Sequence, residues 1–303
     1  MSFKYLAPIR YNKAMPIIEP VIRPPAEAFS FLLQVTTGCS ANTCTFCGAY
    51  KGKPFKVKDF HEIEQDIELA KQLYPQTRRV FLMDGNALIL SNEKLIPILQ
   101  KLISAFPRLT RISSYANGDD ITRRNHEELR ELANHKLKLI YIGLETGSQQ
   151  ILDHCQKKPT VKQMVEAVQR AWEANIKSSV IVLLGLGGKE HSNIHVVETI
   201  KALNQMQPRL LSFLSLMLIP GTELYQENIE NLFHELSSHE LLEEAYQILK
   251  GLEMKQTVFR CNHASNYLEL EGRLPQDKQL LLEKIKYALD GKVDLRPEFF
   301  RGL

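Results

Sequence analysis

The sequence predicts an α/β protein: a partial (β/α)6 TIM-like barrel with an N-terminal arm and an α-rich C-terminal extension. Apolar runs alternate with helical patterns six times between residues 31 and 225. The runs are nearly unbroken, as in strands buried on both faces of a parallel sheet. Cys39, Asp84, Asn117, Glu145, Gly187 and Pro220 each stand just after such a run. A doubly wound sheet would also satisfy the first two observations. The third favours the barrel, where those loops share one mouth.

The elements follow in order. Residues 1–30 carry Pro8, Pro16, Pro20, Pro24 and Pro25 without a period, and read as an extended arm lying on the domain. Residues 31–225 form the barrel. FLLQVTT (31–37) is closed by Gly38, and DFHEIEQDIELAKQLY (59–74) follows at helical spacing. RRVFLMD (78–84) precedes SNEKLIPILQKLISAF (91–106), where Ser91 suits an N-cap and Glu93 the positive helix end. TRISSYA (110–116) is followed by the helical 122–135 stretch, and KLIYIGLE (138–145) by helical pieces at 148–155 and 160–175. KSSVIVLLG (177–185), a helix over 191–206 and RLLSFLSLML (209–218) complete the alternation. In the extension, 226–303, a charged helix (234–251), a strand (256–261) and a last helix (275–291) are expected.

Composition narrows the class. The 303 residues are 44% hydrophobic and 24% charged, ordinary for a globular chain. A net charge of +3 is too small to argue for nucleic acid. No stretch approaches the roughly 20 apolar residues of a membrane span. The start, MSFKYLAPIRYNK, lacks a signal-peptide core, so a cytoplasmic protein is expected. Thiols stay reduced there, and clustered cysteines then bind metal or do chemistry.

Three of the five cysteines, Cys39, Cys44 and Cys47, fall in TTGCSANTCTFCGAYKGKPF (36–55). Structural zinc wants four ligands, usually in two pairs, and there is no second CxxC; His61 is the one candidate to complete it. A redox couple of Cys44 and Cys47 would leave Cys39 idle. An iron–sulfur cluster on three thiolates leaves one iron open to a chelating small molecule. Gly38 lets the strand turn, Ser40, Ala41 and Thr43 keep the loop close, and Phe46 can shield it from water.

A strand ending in G-C, then C-x-F-C, then six βα units resembles the radical S-adenosylmethionine (SAM) superfamily. This chain has C-x4-C-x2-C where C-x3-C-x2-C is most common, a gap shared by a short subgroup near the oxygen-independent coproporphyrinogen oxidases and the elongator radical domain. MDGNAL (83–88) resembles the GGE-type stretch that meets the SAM amino group, with Asp84, Gly85 and Asn86 in its place, though Asn86 stands where Glu is usual. A tight D-G turn would account for the same residues. IGLETGSQQIL (142–152) resembles the GLESGS stretch, which implies that Glu145 and Ser148 lie near the SAM ribose or carboxylate. Glu145 could equally be a carboxylate at a helix N-terminus. LLGLGGKE (183–190) resembles the ribose and adenine stretch, with Leu186 and Gly187, and LIPGTELY (218–225) the PGT stretch. Asn117, in the loop after the third strand, joins these candidates.

The resemblance implies that Cys39, Cys44 and Cys47 hold a [4Fe-4S] cluster whose open iron takes SAM. It also implies reductive cleavage to a 5′-deoxyadenosyl radical that abstracts hydrogen from an unknown small-molecule substrate, with reduced flavodoxin or ferredoxin as electron donor. In TVFRCNHASNYLELEGRLPQDK (257–278), Asn262, His263 and Asn266 are the candidate catalytic residues; they could instead cap and tie down the extension. Four lysines in KGKPFKVK (51–58) read as solvated surface or as an attractor of an acidic substrate or donor. His135, His191 and His195 read as surface histidines, and Cys155 and Cys261 as small buried hydrophobes. Two other readings stand beside the first: a tetrapyrrole-related oxidase or chaperone-like radical SAM protein, and a non-catalytic iron–sulfur or zinc-binding electron-transfer protein.

Overall fold

The computed structural model describes residues 15–19 and 21–302. The chain runs through β1 (Phe31–Gln34), β2 (Thr36–Thr37), β3 (Lys56–Val57) and α1 (Phe60–Leu73). Next come β4 (Arg79–Met83), α2 (Asn92–Ala105), β5 (Arg111–Tyr115), α3 (Gly118–Thr122) and α4 (His126–Asn134). β6 (Leu137–Glu145) leads to α5 (Gln149–His154) and α6 (Val161–Glu173), and β7 (Lys177–Leu184) to α7 (Gly188–Met206). β8 (Leu210–Ser215) and α8 (Glu223–Ile229) precede α9 (Ser238–Gly251), β9 (Thr257–Cys261), β10 (Leu270–Leu274) and α10 (Lys278–Leu289).

One sheet has the order β1-β4-β5-β6-β7-β8-β9-β10, and β2 with β3 forms a separate antiparallel ribbon. Pairing is parallel from β1 through β9, while β10 joins antiparallel. β1 and β10 are the two edges, so the barrel is partial. The six expected strands are present. The extension adds a seventh parallel strand, because β9 pairs with β8 through Leu210–Val258, Leu211–Phe259 and Ser212–Arg260. The loop after β9 therefore opens on the same side as the other strand ends. β10 reads LEGRL, whose charges and glycine suit a short edge but hide it from pattern reading.

Alternation on β8 shows the two faces. Leu211 and Phe213 belong to the large cluster under the helices, and Phe213 meets Phe259 of β9 edge to face at 4.9 Å. Leu210 instead packs with the interior group Leu32, Phe81, Met83, Leu139 and Tyr141. Helices are closed by their own sequence. Asn125, Thr160 and Ser237 begin α4, α6 and α9 with reciprocal capping boxes. Ser91 occupies the N-cap position of α2, with Glu93 in the first turn.

The described part of the arm enters the barrel instead of lying on it. Ile17 and Val21 pack against the interior group. Gln34 exchanges two hydrogen bonds of 2.9 Å with the Ile18 backbone. Glu27 is fully buried, pairing with Arg111 at 2.8 Å and accepting from the Tyr141 hydroxyl at 2.6 Å. These partners offset the cost of burying its charge. Pro8 and Pro20 lie outside the described residues.

Candidate active site

The cysteine loop leaves β2 through Gly38, whose φ of 70° places the chain in the left-handed region. A Cβ there would come 2.7 Å from the Lys53 carbonyl oxygen. The Gly38 N–H donates to Asp84 Oδ2 at 2.9 Å, and the Gly85 N–H to the Gly38 carbonyl at 3.1 Å. Asp84 also receives the Gln34 amide at 3.3 Å and pairs with the Lys53 ammonium at 2.9 Å. Burial pushes its carboxyl above the usual carboxylate range against the pull of Lys53. With these contacts Asp84 ties β1, β4 and the Lys53 turn together. Gly85 is a close approach: a Cβ there would lie 2.5 Å from Cys39 Cβ and 2.8 Å from its Sγ.

Further along, Thr45 bridges two sides of the mouth. Its N–H donates to the Cys155 carbonyl at 3.0 Å, and its carbonyl accepts from Leu224 N–H at 3.1 Å. Thr43 Oγ1 donates to the Gln156 carbonyl at 3.0 Å. Cys39, Cys44 and Cys47 are free and half-buried. Burial pushes the Cys44 thiol up to about 11, Lys157 opposes that, and Glu145 and the other two thiols add to it. Among the described residues no three His, Cys, Asp or Glu side chains converge so as to hold a single metal ion. His61 lies on α1, its Nε2 3.0 Å from the Gln65 amide.

Asn86 is buried beside this loop, its amide donating to Ser40 Oγ at 3.0 Å and to Asp120. Its Oδ1 is buried without a hydrogen-bond partner. Asn117 is the N-cap of α3, and its N–H donates to Asp120 Oδ2 at 3.2 Å. Burial pushes the Asp120 carboxyl up, opposed by Arg123 and by Asn86. Glu145 has φ 61° at the end of β6, where pairing with β7 shifts register. Its Oε1 meets Lys157 Nζ at 3.1 Å. Burial works against the Lys157 charge, but Glu145 and the thiols outweigh it and hold the ammonium pKa above its usual value. Ser148 caps α5. Leu186 is buried with Ile151, Leu216, Leu224 and Phe233, and Phe46 packs against the same group. Leu186 and Gly187 also line a cavity of 240 Å³ with Ile151, His154, Glu190 and Phe233.

Asn262 is exposed after β9. His263 is half-buried, and its Nδ1 accepts the Ser265 N–H at 3.1 Å, which leaves Nε2 for another partner. Burial and then Arg296 hold the His263 pKa below its ordinary value. Asn266 is buried and fully used, its Oδ1 accepting from Ser215 Oγ at 3.0 Å and its amide donating to the Phe213 carbonyl at 2.8 Å. From the C-terminal tail, Arg296 donates to the His263 and Asn266 carbonyls at 3.0 and 2.7 Å. Arg301 reaches the Ser265 and Leu216 carbonyls at 2.7 and 2.9 Å.

Two sequence expectations change. The 51–58 run is not uniformly solvated surface: Lys53 pairs with Asp84, and Lys58 with Asp66, leaving Lys51 and Lys56 exposed. His195 is fully buried: its Nδ1 lies 2.8 Å from Thr146 Oγ1, and its Nε2 lies 3.7 Å from Glu244 of α9. Cys155 and Cys261 are buried, as expected of small hydrophobes. Lys157, Asp120, Glu244 and Arg301 were not legible as site neighbours. Lys157 sits in QKKPT, which reads as a solvated turn, and no local pattern links it to Glu145.

A family model described as the radical SAM superfamily matches residues 33–203, more than half of the chain. The chain belongs to the radical SAM superfamily. Among curated proteins it is similar to the anaerobic magnesium-protoporphyrin IX monomethyl ester cyclase of Cereibacter sphaeroides, 25% identical over 187 residues. That match spans 61% of this chain and 30% of the cyclase. Among solved structures it resembles the radical SAM methyltransferase TsrM from Kitasatospora setae with cobalamin and a [4Fe-4S] cluster bound, at TM-score 0.54 and 17% identity. The overlap covers 67% of this chain and 39% of TsrM. The archaeal Methanocaldococcus infernus Elp3 superposes at TM-score 0.51 with 14% identity, over 88% of this chain and 64% of that one. These structural likenesses describe the radical SAM fold. The cofactors of radical SAM proteins are a [4Fe-4S] cluster and SAM, and this chain has groups that fit both. Its three thiols are free and half-buried on one loop, Gly85 clears space at Cys39, and Asn86 Oδ1 is buried without a hydrogen-bond partner.

Proposed function

We propose that the protein is a radical SAM enzyme acting on a small molecule. The observation that carries this reading is the cysteine loop: Cys39, Cys44 and Cys47 are free and half-buried, and Gly85 leaves room beside Cys39. In this reading Cys39, Cys44 and Cys47 hold the cluster. Asn86 Oδ1 accepts from the SAM ammonium, with Asp84 and Gly85 shaping the turn that presents it. Glu145 and Ser148 face the ribose or carboxylate, and Asn117 orients Asp120. Phe46, Leu186 and Gly187 enclose the adenosine in apolar surface and exclude water. When bound, the cluster and SAM supply a one-electron reductive cleavage and hydrogen abstraction from the substrate. Asn262 and the His263 Nε2 meet the substrate, while Asn266 fixes their loop.

Reduced flavodoxin or ferredoxin fits as donor, because Lys51 and Lys56 leave positive charge beside the loop. No described helix is long and apolar enough to cross a membrane, and we place the protein in the cytoplasm, where thiols stay reduced. A tetrapyrrole-related substrate is the second reading, favoured by the likeness to the porphyrin cyclase.

The test is anaerobic reconstitution with iron and sulfide, then SAM and dithionite. The expected product is 5′-deoxyadenosine, absent from the Cys44→Ala variant. One zinc per chain without iron, or a cluster that never cleaves SAM, would overturn the reading. Adding magnesium-protoporphyrin esters and looking for faster SAM consumption separates the two substrate classes.

A further inference from the structure

We propose that Lys157 sets the reduction potential of the cluster: its ammonium, held against the cysteine loop, makes the cluster easier to reduce. The inference rests on the cluster assignment above. The Cys155–Lys157 segment is docked on the loop by two hydrogen bonds, Thr45 N–H to Cys155 O and Thr43 Oγ1 to Gln156 O, each 3.0 Å. Gln156 then adopts φ 52°, which turns the chain at the residue before Lys157.

The ion pair lies across β6. Leu139 and Tyr141 face the barrel interior, so by alternation Gly143 does too. A Cβ at Gly143 would lie 2.0 Å from Glu145 Oε1 and 3.3 Å from Lys157 Nζ. A side chain at Gly143 would displace the Glu145 carboxylate from this position. The Lys157 side chain is only 10% exposed, and a cation this buried needs compensating negative charge. One carboxylate supplies part of it. The cysteine loop would supply the rest once its sulfurs are thiolates on the cluster: Lys157 acts electrostatically on Cys44 and Cys47, and Cys44 and Cys39 act on it.

Reduction places one electron, taken from an external low-potential donor, on the cluster; no bond forms or breaks and Lys157 keeps its proton. A fixed cation in a low-dielectric site stabilises the more negative state more strongly, which raises the potential. Removing the cation lowers it. Removing the carboxylate that partly neutralises the cation raises it.

The experiment is a redox titration of reconstituted protein without SAM, poised with dithionite and mediators and read by the EPR signal of the reduced cluster. At the wild-type midpoint, Lys157→Met is expected to lower the reduced-to-oxidised ratio about tenfold, equivalent to 59 mV for one electron. Lys157→Arg keeps the charge and stays near wild type. Glu145→Gln moves the midpoint in the opposite direction. Unchanged midpoints in both Lys157→Met and Glu145→Gln, with iron retained, overturn the proposal and leave the cluster assignment standing. A wild-type chain that takes up no cluster overturns both. If Lys157→Met fails to fold or to keep iron, the sign of the Glu145→Gln shift decides.

Discussion

Gly85 controls the room available to Cys39. The Cβ of an alanine there would stand 2.5 Å from Cys39 Cβ, far inside contact distance. Gly85→Ala should cost about 1–3 kcal/mol, the usual range for overpacking, and displace the first thiol. Far-ultraviolet circular dichroism should stay native while iron per chain after reconstitution falls well below wild type. A full iron complement in that variant would show that Cys39 tolerates the shift. Asp84 illustrates a different residue-scale lesson. Its sequence position invites a cofactor role, yet its oxygens are already shared among Gly38, Gln34 and Lys53. The D-G turn was legible; the long-range partners, 46 and 50 residues away, were not.

At the scale of elements, α7 and α9 are joined behind the mouth by a buried pair. Glu244 accepts from Gly185 N–H at 2.6 Å and from Ser192 Oγ at 2.8 Å, and His195 contacts Thr146. The pair thus links the loops that carry Glu145 and Gly187. Burial pushes the Glu244 carboxyl up from 4.5 to about 7 and pulls His195 down from 6.5 to about 4. Between pH 4.5 and 7 the folded state holds a proton on Glu244 that the unfolded state has lost, so this group makes stability fall as pH rises. Between pH 4 and 6.5 the unfolded state holds a proton on His195 that the folded state lacks, so that group makes stability rise with pH. Each contribution spans about 2.5 units, or roughly 3 kcal/mol at 1.36 kcal/mol per unit. In the wild type they largely cancel. Glu244→Gln should leave stability rising from pH 4 to 6.5, and His195→Gln should leave it falling from pH 4.5 to 7. Urea midpoints across that range check both slopes, and identical slopes in the two variants would contradict the assignment.

For the whole molecule, the described part of the arm, packed into the barrel, is the main departure from the sequence reading. A chain lacking residues 1–22 loses Ile17, Val21 and both Gln34–Ile18 hydrogen bonds. The loss should come to about 3–5 kcal/mol, from two apolar side chains and a buried amide left without its backbone partners. A lower melting temperature and dye binding to the exposed interior would report it. The strands of the barrel were legible because Val, Ile, Leu and Phe run almost without interruption through each of them. The cysteine loop was legible because three thiols in nine positions have few structural uses. The arm was not, since prolines mark an extended path without saying what it touches. Nor was the burial of His195, whose neighbours His191 and Glu198 make the helix look solvated.

Thr45 bears on how this protein would survive air. Its two backbone hydrogen bonds, to Cys155 on one side of the mouth and Leu224 on the other, hold the loop by amides that own no part of the metal chemistry. With the cluster held by Cys39, Cys44 and Cys47 as proposed, loss of its iron would not remove either of these two anchors.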